Sequence, residues 1–161
     1  MKAVTTLVSV QEPIAYRAIL LAGLLSGLLD LSAAFVTSRL LRGASPIRVL
    51  QYVASGLLGP DSFQRGIGSA GLGLLSHFMV AFGASAAFYA ASRNLDFLTD
   101  QAVVSGILYG VVVYLFMNLI VLPLSAVSRP KTSVASVAVG LTVHMMCVGL
   151  PISLAIRWYQ K

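Results

Sequence analysis

The stretch QAVVSGILYGVVVYLFMNLIVLPL, residues 101–124, decides the fold class. It carries no charged residue and no histidine from end to end. About 20 apolar residues in a helix cross a hydrocarbon layer of ~30 Å, so this segment is long enough to span a membrane. Pro123 and Pro130 end it, because proline cannot continue a helical hydrogen-bond ladder. Three more segments of the same kind lie around it, at about Ile14–Val36, Ala70–Ala91 and Ser133–Ile156. Arg39 and Arg42 mark the far end of the first and Arg93 closes the second. Arg157, Trp158 and Tyr159 follow the fourth, a basic and aromatic group suited to the membrane interface.

Composition agrees with four spans. The chain has 161 residues, of which 58% are hydrophobic and 10% charged, and a mean hydropathy of +0.90. Soluble domains carry about 25% charged residues, so too little charge is present to solvate a globular surface. The expected fold is all-α: one polytopic domain over residues 1–161, a four-transmembrane-helix bundle. There is no room for a separate catalytic domain. The net charge of +6 comes from basic residues scattered near span ends, with no basic stripe interleaved with aromatics. That pattern excludes nucleic acid as the expected partner and points to anionic lipid headgroups. Glu12 interrupts the N-terminal apolar run, which is also too long for a signal h-region, so no cleaved leader is predicted.

The connection from Arg39 to Ser69 is the longest. Ser45-Pro46 reads as a helix cap followed by a first helical residue. Ile47, Leu50, Val53 and Leu57 recur at helical spacing until Gly59-Pro60 stops the run. This predicts a short amphipathic helix between spans 1 and 2, too short to cross and placed in the interface or as a re-entrant element. The other loops are short, so spans 2 and 3, and spans 3 and 4, are antiparallel neighbours. Lys2, Arg17, Arg93, Arg157 and Lys161 share one side of the membrane. Arg39, Arg42, Arg48, Arg65, Arg129 and Lys131 share the other. The positive-inside rule is nearly balanced by these sets. The compact, purely basic third loop favours both termini outside.

An internal pattern recurs. GLLSHFM (73–79) in span 2 matches GLTVHMM (140–146) in span 4 at Gly, Leu, His and Met, and these hold both histidines of the chain. Spans 1 and 3 each carry GxxxG, at Gly23/Gly27 and Gly106/Gly110. The pattern points to a two-fold repeat of a helix hairpin, the first copy with the longer connection. Helices in lipid associate by close approach, so Gly23, Gly27, Gly73, Gly106, Gly110 and Gly140 are candidate helix-packing positions.

Four strongly polar residues fall inside the spans: Asp30, His77, Asn118 and His144. At 1.5 Å per residue they lie roughly 10–14, 10, 8–10 and 17 Å in from the side of the first and third loops. All four can therefore converge in one half of the bundle as a candidate intramembrane site. Asp30, His77 and His144 each share a helix stripe with small residues, which should point at other helices.

Several readings of this cluster stand. It binds or relays a proton or a small polar solute, with histidine as the titrating group. Alternatively it only fixes helix packing, in a structural or accessory subunit whose glycine faces meet partner chains or a second copy. A weaker alternative makes the histidines axial ligands of a b-type haem, against which stands the ~7 Å offset in depth. A Cu(I) site would need Met79, Met146 and Cys147, but the methionines face away from the histidines. No cofactor or metal is assigned. No Gly-x-Ser-x-Gly, His-Glu-x-x-His or phosphate loop occurs, and a non-enzymatic protein is expected.

The first span with Asp30, the His77…Tyr89 span, the Gly106…Gly110…Pro123 span and the His144…Pro151 span resemble uncharacterised small bacterial inner-membrane proteins, the YagU-like group among them. The resemblance implies a multi-pass protein of a bacterial inner membrane and supplies no reaction.

Overall fold

The computed structural model describes residues 2–128 and 133–160, with side chains from Ala15 onward. Lys2 and Glu12 as side chains, and Arg129, Pro130, Lys131 and Lys161 altogether, lie outside what is described. The described residues are helical throughout, apart from short connections. Four helices are long and apolar enough to cross a membrane: Ala15–Arg42, Gly66–Ser92, Ala102–Leu124 and Val134–Gln160, called spans 1 to 4. Span 1 is part of a longer helix, Lys2–Arg42.

Span 1 runs on past Val36, where the apolar reading ended it, to Arg42. Its stop is Gly43, whose φ of 66° only glycine adopts without strain. The Gly43 and Ala44 N–H groups close on the Arg39 and Ser38 carbonyls. The linker helix is Pro46–Leu58, with the Ser45 side chain accepting from the Arg48 N–H and Gly59 at φ 63° ending it. A 3-10 turn, Gly59–Gln64, leads into span 2.

The linker helix turns its small and polar face inward: Val49, Gln51, Ala54 and Ser55 are buried. Ile47 and Leu57 of its apolar stripe are exposed. That inversion is what a helix facing lipid requires, since packing there is driven by close contact and not by expelling water. A Cβ at Gly73 of span 2 would strike the Leu50 carbonyl, so the linker helix crosses span 2 backbone to backbone. Gln51 Nε2 donates to the Gly66 carbonyl at 3.0 Å. On its other flank the Ala126 N–H donates to the Gly56 carbonyl at 2.9 Å. The linker helix therefore ties the start of span 2 to the end of span 3.

Span 1 packs against spans 2 and 4, and span 3 packs against span 4. Spans 2 and 3 meet where Tyr109 Oη donates to the Ala84 carbonyl at 2.7 Å and stacks edge-on to Phe88. The buried core holds Ala18, Ala22, Phe88, Val113, Val148, Ile152, Ala155 and Ile156. It sits mostly toward the ends of spans 1, 2 and 4 that carry the termini and the second loop. At the other end the bundle opens, and Val134 on span 4 is 88% exposed.

Glycine sets the spacing in each hairpin. Gly23 and Gly27 receive the Phe82 and Phe78 rings of span 2. Gly106 and Gly110 receive the backbone of span 4 at Leu150 and at His144–Met145. Gly149, which the sequence reading did not single out, faces both: a Cβ there would collide with the Gly106 carbonyl and the Gly110 backbone. Backbone cannot move aside as a flexible side chain can. Gly149→Ala should therefore lower stability by about 1–3 kcal/mol. Gly71→Ala, on span 2 with open space around its Cα, should be neutral or stabilise by roughly 0.5–1 kcal/mol through helix propensity. Thermal unfolding of both variants in detergent checks the contrast.

Candidate functional site

The glycine contact between spans 1 and 2 creates the first polar site. With no side chain at Gly27, the span 2 helix comes close enough for His77 Nε2 to reach the Gly27 carbonyl at 2.9 Å. A carbonyl only accepts, so Nε2 carries the proton of that bond. The other ring nitrogen, Nδ1, carries no proton in the neutral ring and faces Asp30 Oδ2 at 4.0 Å. The His77 and Asp30 side chains are 14% and 21% exposed. Phe78 stacks edge-on to the imidazole at 5.5 Å. Phe78 also covers Gly27, so one aromatic residue walls both the carbonyl and the ring.

The second polar group lies between spans 3 and 4. His144 Nδ1 pairs with the Gly140 carbonyl of its own helix at 2.9 Å, and so Nδ1 is the protonated nitrogen here. The Tyr114 ring meets the His144 imidazole edge-on at 5.3 Å and lies over Gly140. Asn118 Nδ2 donates back to the Tyr114 carbonyl at 2.9 Å. Among the described residues, no hydrogen bond or ion pair links Asp30 or His77 to His144. The four candidate residues thus form an Asp30–His77 pair and a Tyr114–Asn118–His144 group, each seated on its own hairpin.

Depth also differs from the sequence reading. Counted along the helices at 1.5 Å per residue, Asp30 lies ~18 Å from the Arg42 end and His77 ~17 Å from the Gly66 end. By the same count Asn118 lies ~9 Å from Leu124 and His144 ~15 Å from Val134. The longer span 1 and the earlier start of span 2 move the Asp30–His77 pair to mid-span. His77 and His144 thus stand at similar distances, ~17 and ~15 Å, from the starts of their own spans. A bis-histidine haem still meets an obstacle, because His77 Nε2 is committed to the Gly27 carbonyl. Met79 and Met146 are exposed. No three His, Cys, Asp or Glu side chains among the described residues are placed to share a metal.

The sequence reading missed two wide helical turns. Met117–Val121 and His144–Gly149 are π-helical, with Leu122 N–H closing on the Met117 carbonyl and Leu150 N–H on the Met145 carbonyl. Each ends two residues before a proline, Pro123 or Pro151. Proline removes a donor and crowds the preceding turn, and a wider turn relieves both. Asn118 and His144 lie within these turns, which is where irregular helix geometry most often serves function. The proline positions were the available signal.

The bonding requires opposite tautomers for the two neutral histidines: Nε2–H at His77 and Nδ1–H at His144. Nitrogen-15 histidine spectra of the reconstituted protein should show both, assigned by His77→Gln and His144→Gln. Two identical tautomers would contradict the site geometry. No protein-family model, curated protein or solved structure matches the chain.

Proposed function

We propose that this chain is a multi-pass protein of a bacterial inner membrane that binds or relays a proton, or a small polar species carrying one, at Asp30–His77. The observation that carries the reading is the facing of Asp30 Oδ2 and His77 Nδ1 at 4.0 Å in mid-span. With Asp30 ionised and His77 neutral the pair has one negative charge, and a single proton on either atom neutralises it. Ionisable groups at such depth are costly and usually mark a proton or solute path, which supports the reading. The 4.0 Å gap exceeds hydrogen-bond length, so the two atoms face each other without a direct hydrogen bond.

The different-class reading is an accessory subunit whose polar groups fix packing. It is favoured by the first turns of span 4, where residues 134–139 are exposed to whatever surrounds the bundle. Vesicles containing the wild-type protein are expected to dissipate an imposed pH gradient faster than empty vesicles. Asp30→Asn and His77→Gln should each remove at least about nine-tenths of that excess rate, the scale of losing a positioned proton-transfer group. Their thermal unfolding in detergent should remain close to wild type. Unfolding of both variants, with no gradient dissipation by the wild type, would support the packing reading instead.

A further inference from the structure

An open cavity of about 340 Å³ lies outside the polar sites just described, where span 2 ends, the second loop turns and span 4 finishes. That volume is at the lower end of ligand pockets, about 300–1,000 Å³, and suits a small solute. Tyr89 and Ser92 line it from span 2, Asp96 and Thr99 from the second loop, and Tyr159 and Gln160 from span 4. Arg93 is also in the wall, but it already has an interaction partner and is no part of what the cavity offers a ligand.

Part of the lining is spent on holding the wall. Gln160 Nε2 donates to Ser92 Oγ at 2.9 Å, and Ser92 Oγ donates to the Tyr89 carbonyl at 2.8 Å, which ties span 4 to span 2. Thr99 Oγ1 donates to the Asp96 carbonyl at 3.1 Å, and the Thr99 and Asp100 N–H groups close on the same carbonyl at 3.0 Å. Three donors therefore fix the main chain that carries the Asp96 carboxylate. What remains for a ligand is rich in acceptors. The Asp96 carboxylate and the Tyr89 and Tyr159 hydroxyls have no hydrogen-bond or ion-pair partner among the described residues. Gln160 has used Nε2 on Ser92, which leaves its amide oxygen. Carboxylate and amide oxygens only accept, and a phenol oxygen accepts as well as donates. The one charge among these groups is negative. Tyrosine rings add negative ring faces, to which a cation is drawn.

We propose that this cavity binds a small primary amine in its ammonium form. The ammonium brings three N–H donors and a positive charge in one compact group. It donates to the Asp96 carboxylate, to Gln160 Oε1 and to a tyrosine hydroxyl. A quaternary ammonium brings the charge without the donors, and an alcohol brings a donor without the charge. A carboxylic acid, ionised at neutral pH, brings neither and meets Asp96 with like charge. The proposal does not depend on the Asp30–His77 reading.

The full chain in non-ionic detergent, at neutral pH and constant ionic strength, is titrated calorimetrically with propylamine, propanol, tetramethylammonium, potassium and propionate. Propylamine should bind saturably, with an apparent Kd at least about tenfold below the other four, the scale of one charge-assisted bond. It should also raise the thermal unfolding temperature of the wild type, because a ligand of the folded state stabilises it. Asp96→Asn should weaken propylamine at least about tenfold. The Asp96 side chain is exposed, so this variant without ligand should unfold as the wild type does. Asp100→Asn removes an exposed carboxylate of the same loop from outside the cavity and should leave the Kd unchanged, as should Asp30→Asn. Propanol, tetramethylammonium or potassium binding as tightly as propylamine overturns the proposal. So does the absence of saturable propylamine binding, or affinity that survives Asp96→Asn. Equal weakening by Asp96→Asn and Asp100→Asn also overturns it, since a general surface field and not the cavity would then be at work.

Discussion

Everything in this bundle depends on backbones touching at glycine. Lipid tails are as apolar as leucine, so spans gain little by hiding leucine from lipid and must gain by contact distance. The Gly73 contact with the linker helix at Leu50 is the closest case, and Gly149 pressed against Gly106 and Gly110 is a second. Large apolar side chains accordingly point outward, among them Leu40, Leu124 and Val134. The buried set is dominated by small residues, including Ala18, Ala22, Ser26, Ser85 and Ser153. Short helix separation has a chemical consequence. It brings main-chain carbonyls of one helix within reach of side chains on the next, as His77 reaches Gly27 and Ser153 Oγ reaches the Ala102 carbonyl at 2.7 Å.

The two prolines act on the same polar chemistry from another direction. A carbonyl in the helix ladder keeps a second lone pair that a side chain can use. Pro123 and Pro151 each follow a wide turn, and the displaced ladder shifts bonds from the i−4 to the i−5 carbonyl. Asn118 and His144 lie in these turns and return their side chains to the Tyr114 and Gly140 carbonyls upstream. In spans 1 and 2 the assigned helices run without such a turn. There, His77 crosses between helices, while Ser32, Ser76 and Ser85 fold back onto carbonyls of their own helix.

Element type was legible in the sequence, and azimuth was not. Four apolar runs gave four long helices, and Ser45-Pro46 with Gly59-Pro60 bounded the linker helix, because caps and prolines act locally. Span 1 was read short because Arg39 and Arg42 mark an interface, whereas Gly43 supplies the actual stop. The polar residues were expected to converge because they lie at similar depths and because Asp30, His77 and His144 each share a stripe with small residues. That criterion says which side faces protein without saying which helix it faces. Span 1 lies between spans 2 and 4, with span 3 beyond span 4, so Asp30 meets His77 while His144 meets Tyr114. The outward-facing apolar stripe of the linker helix was equally illegible, since Ile47 and Leu57 look the same whether they face a core or the outside.

The two hairpins provide an internal comparison that bears on why Asp30 is there. Asp30 is the one acidic residue of the five that lies within a span. An aspartate at the centre of a membrane helix costs about 2.5–3.5 kcal/mol on insertion scales. In the first hairpin it stands three residues after Gly27, the glycine that His77 reaches. In the second hairpin, three residues after Gly110, which abuts His144, stands Val113, buried in the core. A glycine-spaced hairpin with a histidine at the same level therefore packs with valine in that place. Packing alone does not require the carboxylate, and the insertion cost argues against it as a neutral choice. What Asp30 adds that valine does not is a second proton-binding atom opposite His77 Nδ1. The hairpins thus differ in that one sets a carboxylate opposite its histidine and the other an apolar side chain in that place.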